Sequence, residues 1–221
     1  MSDKIAVVCD FDGTIAKRDI GHEFFGKYVS DKDRREKLLE EWKIGLISSR
    51  ECLAEETEMI LPASTRELEA FVDGEDLDPY FKDFVDYCNT CRYEIEILSD
   101  GLDYYIDYLL IKFGLGFLDF KANHLVCDDG EIITVDFPYY NSMNCQMCGN
   151  CKRKHVEDLR EKGFFIVYVG NGYSDRCPAE YSDMVFAKTD LLGYCEDKKI
   201  EHIPFTNFRD VEQELSRRIK I

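Results

Sequence analysis

The first apolar run in the chain, Ile5-Ala6-Val7-Val8-Cys9, is continuous and stops at Asp10. A short unbroken run bounded by acids and glycine reads as a strand buried on both faces. Two later segments have the same character. One covers 93–98 and ends at Ser99-Asp100-Gly101; the other covers 164–169 and ends at Gly170-Asn171-Gly172. Helical patterns follow both. After the segment 93–98, Leu102, Tyr105, Ile106, Leu109, Leu110 and Phe113 fall on one helical face, and Gly114 supplies a stop. Strand, polar loop and helix in alternation predict an α/β fold, a doubly wound Rossmann-like parallel sheet with helices on both faces. Polar residues at the carboxyl ends of such strands converge on one crevice.

The stretch 18–91 has a different rhythm. It reads as helices, with capping boxes at Ser48/Glu51 and Ser64/Glu67 and a helix start at Asp78-Pro79. Phe81, Phe84, Val85 and Cys88 keep helical spacing. The expected organisation is a core domain built from 1–17 and 92–221, with 18–91 inserted as a helical cap domain. Residues 121–137 read as a hairpin turning at Asp128-Asp129-Gly130.

Composition narrows the partners. Forty-five acids against 28 bases leave a net charge of −17, so there is no basic surplus to displace the counterions of a nucleic acid. No apolar run approaches the ~18 residues of a membrane span, and the Met1-Ser2-Asp3-Lys4 start lacks the pattern of a secretion leader. A cytoplasmic protein is expected, acting as a monomer or homodimer without nucleic acid or membrane. Ten cysteines in that setting read as free thiols or metal ligands rather than disulfides.

The main chemical signal is Asp10-Phe11-Asp12-Gly13-Thr14. Two acids at i and i+2 in a loop leaving a buried strand both face the crevice, and Gly13 lets the backbone turn away. One carboxylate is placed to attack phosphorus beside a divalent cation, and the other to protonate a leaving alcohol and then activate water. A calcium loop would need further oxygen ligands at alternate positions and a late glutamate, which are absent. Three weaker pieces follow in order. Ser99, with the amides of Asp100 and Gly101, offers donors to phosphate oxygens, although Ser-Asp-Gly alone is an ordinary turn. Lys152 opens a helical pattern and offers positive charge, although a lone lysine is usually a solvated surface residue. Asn171 and Asp175 place oxygen ligands four apart after the third strand, although a tight turn before a helix gives the same pattern.

Taken together, these four pieces resemble the four motifs of the haloacid dehalogenase superfamily, and the likeness spans the whole chain, cap included. Within it the chain is similar to the phosphoserine phosphatase-like branch, and most to its methionine-salvage methylthiopentenyl-phosphate phosphatases. The shared features are the Asp-Phe-Asp-Gly-Thr-Ile opening, an acid at Asp19 and a cysteine-rich segment, 145–151, ending at Lys152. The resemblance implies a magnesium-dependent phosphatase for a small phosphorylated metabolite. Asp10 becomes nucleophile and Mg²⁺ ligand, and Asp12 becomes general acid/base and binds the ion through its carbonyl. Ser99, Asp100, Gly101 and Lys152 hold phosphate, Asp19 contacts the substrate, and Asn171 with Asp175 completes the metal site. The family usually carries aspartate where Asn171 stands, which implies weaker metal binding or a catalytically weakened ligand-binding protein. Phosphoserine is the alternative substrate; it is held in relatives by a glutamate where this chain has the shorter Asp19. His22, Glu23 and Arg50 are further cap residues able to face the crevice. The C-x₂-C-x₂-C spacing of Cys145, Cys148 and Cys151, with Cys88 and Cys91, also fits a zinc site.

Overall fold

A computed structural model describes residues 4–140 and 142–219. The Met1–Asp3 start, on which the leader reading rested, lies outside the described residues. Seven strands form one sheet: β1 Ile5–Cys9, β2 Glu94–Leu102, β3 Phe120–Asp128, β4 Glu131–Asp136, β5 Phe165–Gly170, β6 Met184–Ala187 and β7 Ile203–Pro204, in the order β4-β3-β2-β1-β5-β6-β7. All neighbours are parallel except β3 and β4. The three expected strands are β1, β2 and β5, and β1 lies between the other two.

Burial of β1 follows from its composition. Val7 and Cys9 face the larger core cluster, while Ala6 and Val8 face a second one with Leu98, Val156, Leu159, Ile166 and Tyr168. An apolar run without alternation is what a strand covered on both sides requires. The chain builds outward from β1 through β2 to β4 on one side and through β5 to β7 on the other. The topological switch therefore falls at β1/β5, where open α/β sheets bind ligands.

Ten α-helices accompany the sheet among the described residues: α1 Ile20–Tyr28, α2 Lys32–Lys43, α3 Ser49–Ile60, α4 Thr65–Val72, α5 Phe81–Cys91, α6 Asp103–Lys112, α7 Lys152–Glu161, α8 Arg176–Glu180, α9 Thr189–Lys198 and α10 Phe208–Arg218. Both predicted capping boxes are formed, at the starts of α3 and α4. Gly114 ends α6 at φ 73°, with its own amide on the Ile111 carbonyl and the Leu115 amide on that of Leu110. The hairpin is β3–β4, turning through Asp129 and Gly130 at φ 44° and 80°, the left-handed pair that matches strand twist.

Within the inserted block, α1 to α4 pack on one another, with α3 also touching β4 and α4 touching α6. By contrast, α5 packs against α10 and β2; the Phe81 and Phe84 rings lie 4.7 and 5.1 Å from that of Phe208. The outgoing and returning chains run side by side ahead of α5. Asp78 N donates to Ile15 O and Lys17 N to Asp76 O, and the Arg18 guanidinium grips the buried Glu75 carboxylate. The return leg thus meets the sheet layer near Leu77, which forms a bridge with Ala16, and α5 lies with the sheet. Among the described residues no helix is long and apolar enough to cross a membrane.

Candidate active site

Asp10 is the first residue beyond β1, and its amide donates to Val169 O of β5, which fixes it at the switch point. The next five residues make a wide loop closed by Ala16 N on Phe11 O. Gly13 is required there twice over: its φ is 70°, and an added Cβ would lie 2.4 Å from Asn171 Nδ2. The β2 pairing with β3 is irregular between Leu98 and Leu102, so the strand continues past the predicted end but is distorted at Ser99, Asp100 and Gly101.

These loops bring most of the expected residues together. Lys152, the first residue of α7, is fully buried and donates to Asp10 Oδ1 at 2.5 Å and Asp175 Oδ1 at 2.7 Å. Asp175 is also fully buried. Its Oδ1 accepts from Tyr168 Oη, and its Oδ2 accepts from the amides of Asn171 and Gly172. Both carboxylate oxygens of Asp175 are thus engaged by protein donors, and the residue sits behind Lys152, anchoring the Asn171 loop. Asn171 Oδ1 accepts from the Thr14 hydroxyl at 2.9 Å. Asp12 Oδ1 accepts from Ile20 N, and its Oδ2 accepts from Tyr105 Oη at 2.6 Å and Ser99 Oγ at 3.2 Å. The Gly101 amide donates to Ser99 Oγ. The Asp100 carboxylate accepts from the amide of Asn150, while Asn150 Nδ2 donates to the carbonyls of Ser99 and Lys121. Asn150, which the sequence did not single out, therefore ties the end of β2 to the start of α7 two residues before Lys152.

Burial shapes the charges. It raises Asp10 to about 8, helped by the Asp175 charge and opposed by Lys152. Burial is also the main reason Asp12 rises to about 7, with Asp19 adding to it and hydrogen bonds from Tyr105 and the Ile20 amide opposing it. For Lys152 burial works to lower the ammonium, but Asp10 and Asp175 outweigh it and the group stays cationic.

A cavity of about 170 Å³ opens above these groups. Asp10, Asp12, Ser99 and Asn171 form part of its floor, and Phe25, Leu39, Trp42 and Leu53 form an apolar part of its wall. Asp19, His22 and Glu56 also face it. Asp19 additionally caps α1, accepting from His22 N. Glu23 instead pairs with Arg18, and Arg50 lies over the Tyr140 and Phe137 rings, outside the cavity lining. The Trp42 ring meets that of Tyr173 at 5.1 Å, a contact between α2 and the loop after β5.

The cysteines divide. Cys88 on α5 faces Cys9 and Cys91, whereas the thiol of Cys148 lies in electrostatic range of Cys145, Cys151 and Cys177. Cys88 and Cys91 therefore do not join the 145–151 segment. Among the described residues no group of three or more Cys, His, Asp or Glu is arranged to hold a metal ion. Burial raises the Cys148 thiol well above its usual range, which favours the protonated form.

The chain is similar to known phosphatases. The chain is 26% identical over 227 residues, covering 98% of each partner, to the 2-hydroxy-3-keto-5-methylthiopentenyl-1-phosphate phosphatases of Bacillus thuringiensis subsp. konkukian (strain 97-27) and Bacillus cereus (strain ATCC 10987 / NRS 248). In fold it is similar to a phosphoserine phosphatase solved as a phospho-aspartyl intermediate analogue, with a TM-score of 0.74 at 18% identity, covering 98% of this chain and 99% of that one. A cytosolic 5'-nucleotidase IIIB bound to cytidine superposes with a TM-score of 0.62 at 15% identity, covering 96% and 84%. The model of the haloacid dehalogenase-like hydrolases matches residues 7–180, and with the Asp10–Asp12 loop, Ser99, Lys152 and Asp175 converging at the switch point, the chain belongs to that family.

Proposed function

We propose that the protein is a magnesium-dependent phosphatase that hydrolyses a small phosphomonoester through an aspartyl-phosphate on Asp10. The observation carrying this is the buried Lys152 held between Asp10 and Asp175, with Asp12 and Ser99 in hydrogen-bond contact beside it. The donor set fits Mg²⁺: the Asp10 carboxylate, the Asp12 carbonyl and the Asn171 amide oxygen are all hard oxygen ligands. Lys152 takes Asp10 Oδ1, leaving Oδ2 for the ion. When bound, the ion supplies the positive charge that lets a carboxylate approach a dianionic phosphate.

In the first half-reaction Asp10 attacks phosphorus, and the bond to the ester oxygen breaks as Asp12 gives that oxygen its proton. In the second, Asp12 takes a proton from the water that attacks the aspartyl-phosphate, releasing phosphate and restoring Asp10. Lys152 orients Asp10 and offsets its charge; Ser99 and the neighbouring backbone hold phosphate oxygens. An Asp12 carboxyl raised to about 7 keeps a substantial protonated fraction near neutral pH, as a general acid needs. Helices α1 to α4 act as the lid that excludes bulk water.

The cavity wall favours a methylthiopentenyl-phosphate type of substrate over phosphoserine. No lysine or arginine lines the cavity among the described residues, and Asp19 and Glu56 do. The ammonium of phosphoserine would find Asp19 and Glu56 there but its carboxylate would find no lysine or arginine, whereas an uncharged tail meets Phe25, Leu39, Trp42 and Leu53. A magnesium-dependent assay on a panel of small phosphomonoesters, with phosphoserine included, tests this. Asp10→Asn is expected to abolish turnover in a folded protein; near-normal activity in it, or phosphate trapped on another residue, overturns the mechanism.

A further inference from the structure

We propose that Tyr105 is a positioning residue for Asp12, holding its carboxyl toward the leaving group through the phenol hydroxyl. The inference rests on the role proposed above for Asp12 and adds a residue that the motif pattern does not contain.

Asp12 is held by two backbone amides, those of Ile20 (on Oδ1) and Gly21, and its Oδ2 has two side-chain donors, Tyr105 Oη at 2.6 Å and Ser99 Oγ at 3.2 Å. A serine hydroxyl has one proton to give, and Ser99 directs it to phosphate when substrate is bound. During turnover Tyr105 is then the side-chain donor left on Oδ2. The phenol suits that task. The residue is 1% exposed, and its ring packs beside Phe11, which fixes where the hydroxyl points.

The surroundings are shaped around this contact. A Cβ on Gly101 would fall 1.8 Å from Tyr105 Oη and 2.6 Å from Asp12 Oδ2, and one on Gly21 would fall 3.3 Å from the phenol oxygen. Both glycines leave room for the phenol at the carboxylate. Tyr105 also lines the cavity, so its hydroxyl lies at the reaction site and not behind it.

The consequence is specific to the step Asp12 assists. Loss of the phenol oxygen frees the carboxyl to rotate, which hinders proton delivery to a poor leaving group. A p-nitrophenolate needs little protonation as it departs; an alkoxide needs it fully. The experiment measures alcohol release in single turnovers with p-nitrophenyl phosphate and with an alkyl phosphate, using the wild type, Tyr105→Phe, Asp12→Asn and the double variant. Tyr105→Phe is expected to slow alkyl phosphate cleavage by about 10- to 100-fold, at or below the lower end of what full acid-base assistance supplies, and p-nitrophenyl phosphate cleavage by less than about threefold. Adding it to Asp12→Asn is expected to change neither rate further. Gly21→Ala, which crowds the phenol without removing it, is expected to act in the same direction, and decides alone if Tyr105→Phe does not fold. An equal loss on both substrates, a further loss on top of Asp12→Asn, or no loss on either overturns the proposal. If Asp12→Asn itself shows no leaving-group dependence, the acid role of Asp12 fails instead, and the two failures are told apart.

Discussion

Arg35 offers a direct test of what holds α1, α2 and α3 together. It lies on α2, its Nε donates to Glu56 Oε1 of α3 at 2.7 Å, and its Nη2 donates to His22 O of α1 at 2.8 Å. The two charged side chains are only 10% and 9% exposed. Arg35→Met preserves most of the apolar stem but leaves Glu56 buried without a counter-charge. Removing one member of a buried pair costs about 3–5 kcal/mol, and most domains hold about 5–15 kcal/mol in total, so the variant folds with a large deficit.

The pH dependence identifies the cause. Burial already raises the Glu56 carboxyl above its ordinary value, with Arg35 opposing the rise. Without Arg35 it rises further. A carboxyl whose folded value is raised gives the fold its greatest stability below the unfolded value, and that stability is lost as pH climbs through the folded value. In the variant this loss continues over a wider interval, at about 1.4 kcal/mol for every pH unit by which the interval widens. Urea unfolding is therefore expected to show a small deficit near about pH 5 that grows by up to about 3 kcal/mol near about pH 7.5. Arg35→Met with Glu56→Leu is expected to recover most of it. A deficit of the same size at both pH values would mean that lost packing and the lost His22 contact, not charge burial, dominate. A deficit under about 1 kcal/mol at the higher pH would place the pair with solvent-screened surface bridges and refute the reasoning.

Other expectations concern the site itself. Asn171→Asp adds a carboxylate to the proposed ion site and is expected to lower the magnesium concentration for half-maximal activity by about tenfold, read from a magnesium titration; an unchanged titration means the metal set is complete without it. Gly101→Ala drives a Cβ into the Tyr105–Asp12 contact and is expected to lower kcat by about 10²-fold, because ångström-scale misplacement of a reacting group costs that much. Lys152→Met leaves Asp10 and Asp175 facing each other and is expected to cost at least about 10²-fold in kcat/KM, measured on p-nitrophenyl phosphate. A cavity of about 170 Å³ lined by residues of α1, α2 and α3 is expected to pass compact phosphomonoesters and no folded phosphoprotein, as free phosphate release from the two will show.

What the sequence disclosed, and what it withheld, follows from how each residue reaches the site. Asp10 and Asp12 were legible because loop and strand are contiguous: the apolar run predicts β1, and whatever follows β1 lies at the switch point. Ser99, Lys152 and Asp175 could be placed by a similar rule, since Lys152 and Asp175 sit at helix starts and Ser99 at the point where β2 becomes irregular. Tyr105 obeys a different constraint. Its position on the apolar face of α6 predicts burial, and burial is what it has, but periodicity describes a ring and says nothing about where its hydroxyl points. The partner, Asp12, is 93 residues away. Arg35 and Glu56 carry no signal in the sequence, because their pairing joins two helices and no spacing along either one marks it. The amphipathic stripe of α5 shows the same limit: Phe81 and Phe84 announce a helix that must be covered, yet its cover is Phe208, more than a hundred residues later, so a boundary drawn from pattern alone assigned it to the inserted block. Cys88-x-x-Cys91 and Cys145-x-x-Cys148 share a spacing but not surroundings: Cys88 is buried, and Cys145 is exposed. Local pattern fixes which face of an element is buried; long-range contacts decide what that face meets, and in this site the groups that hold the Asp10 and Asp12 carboxylates belong to the second kind.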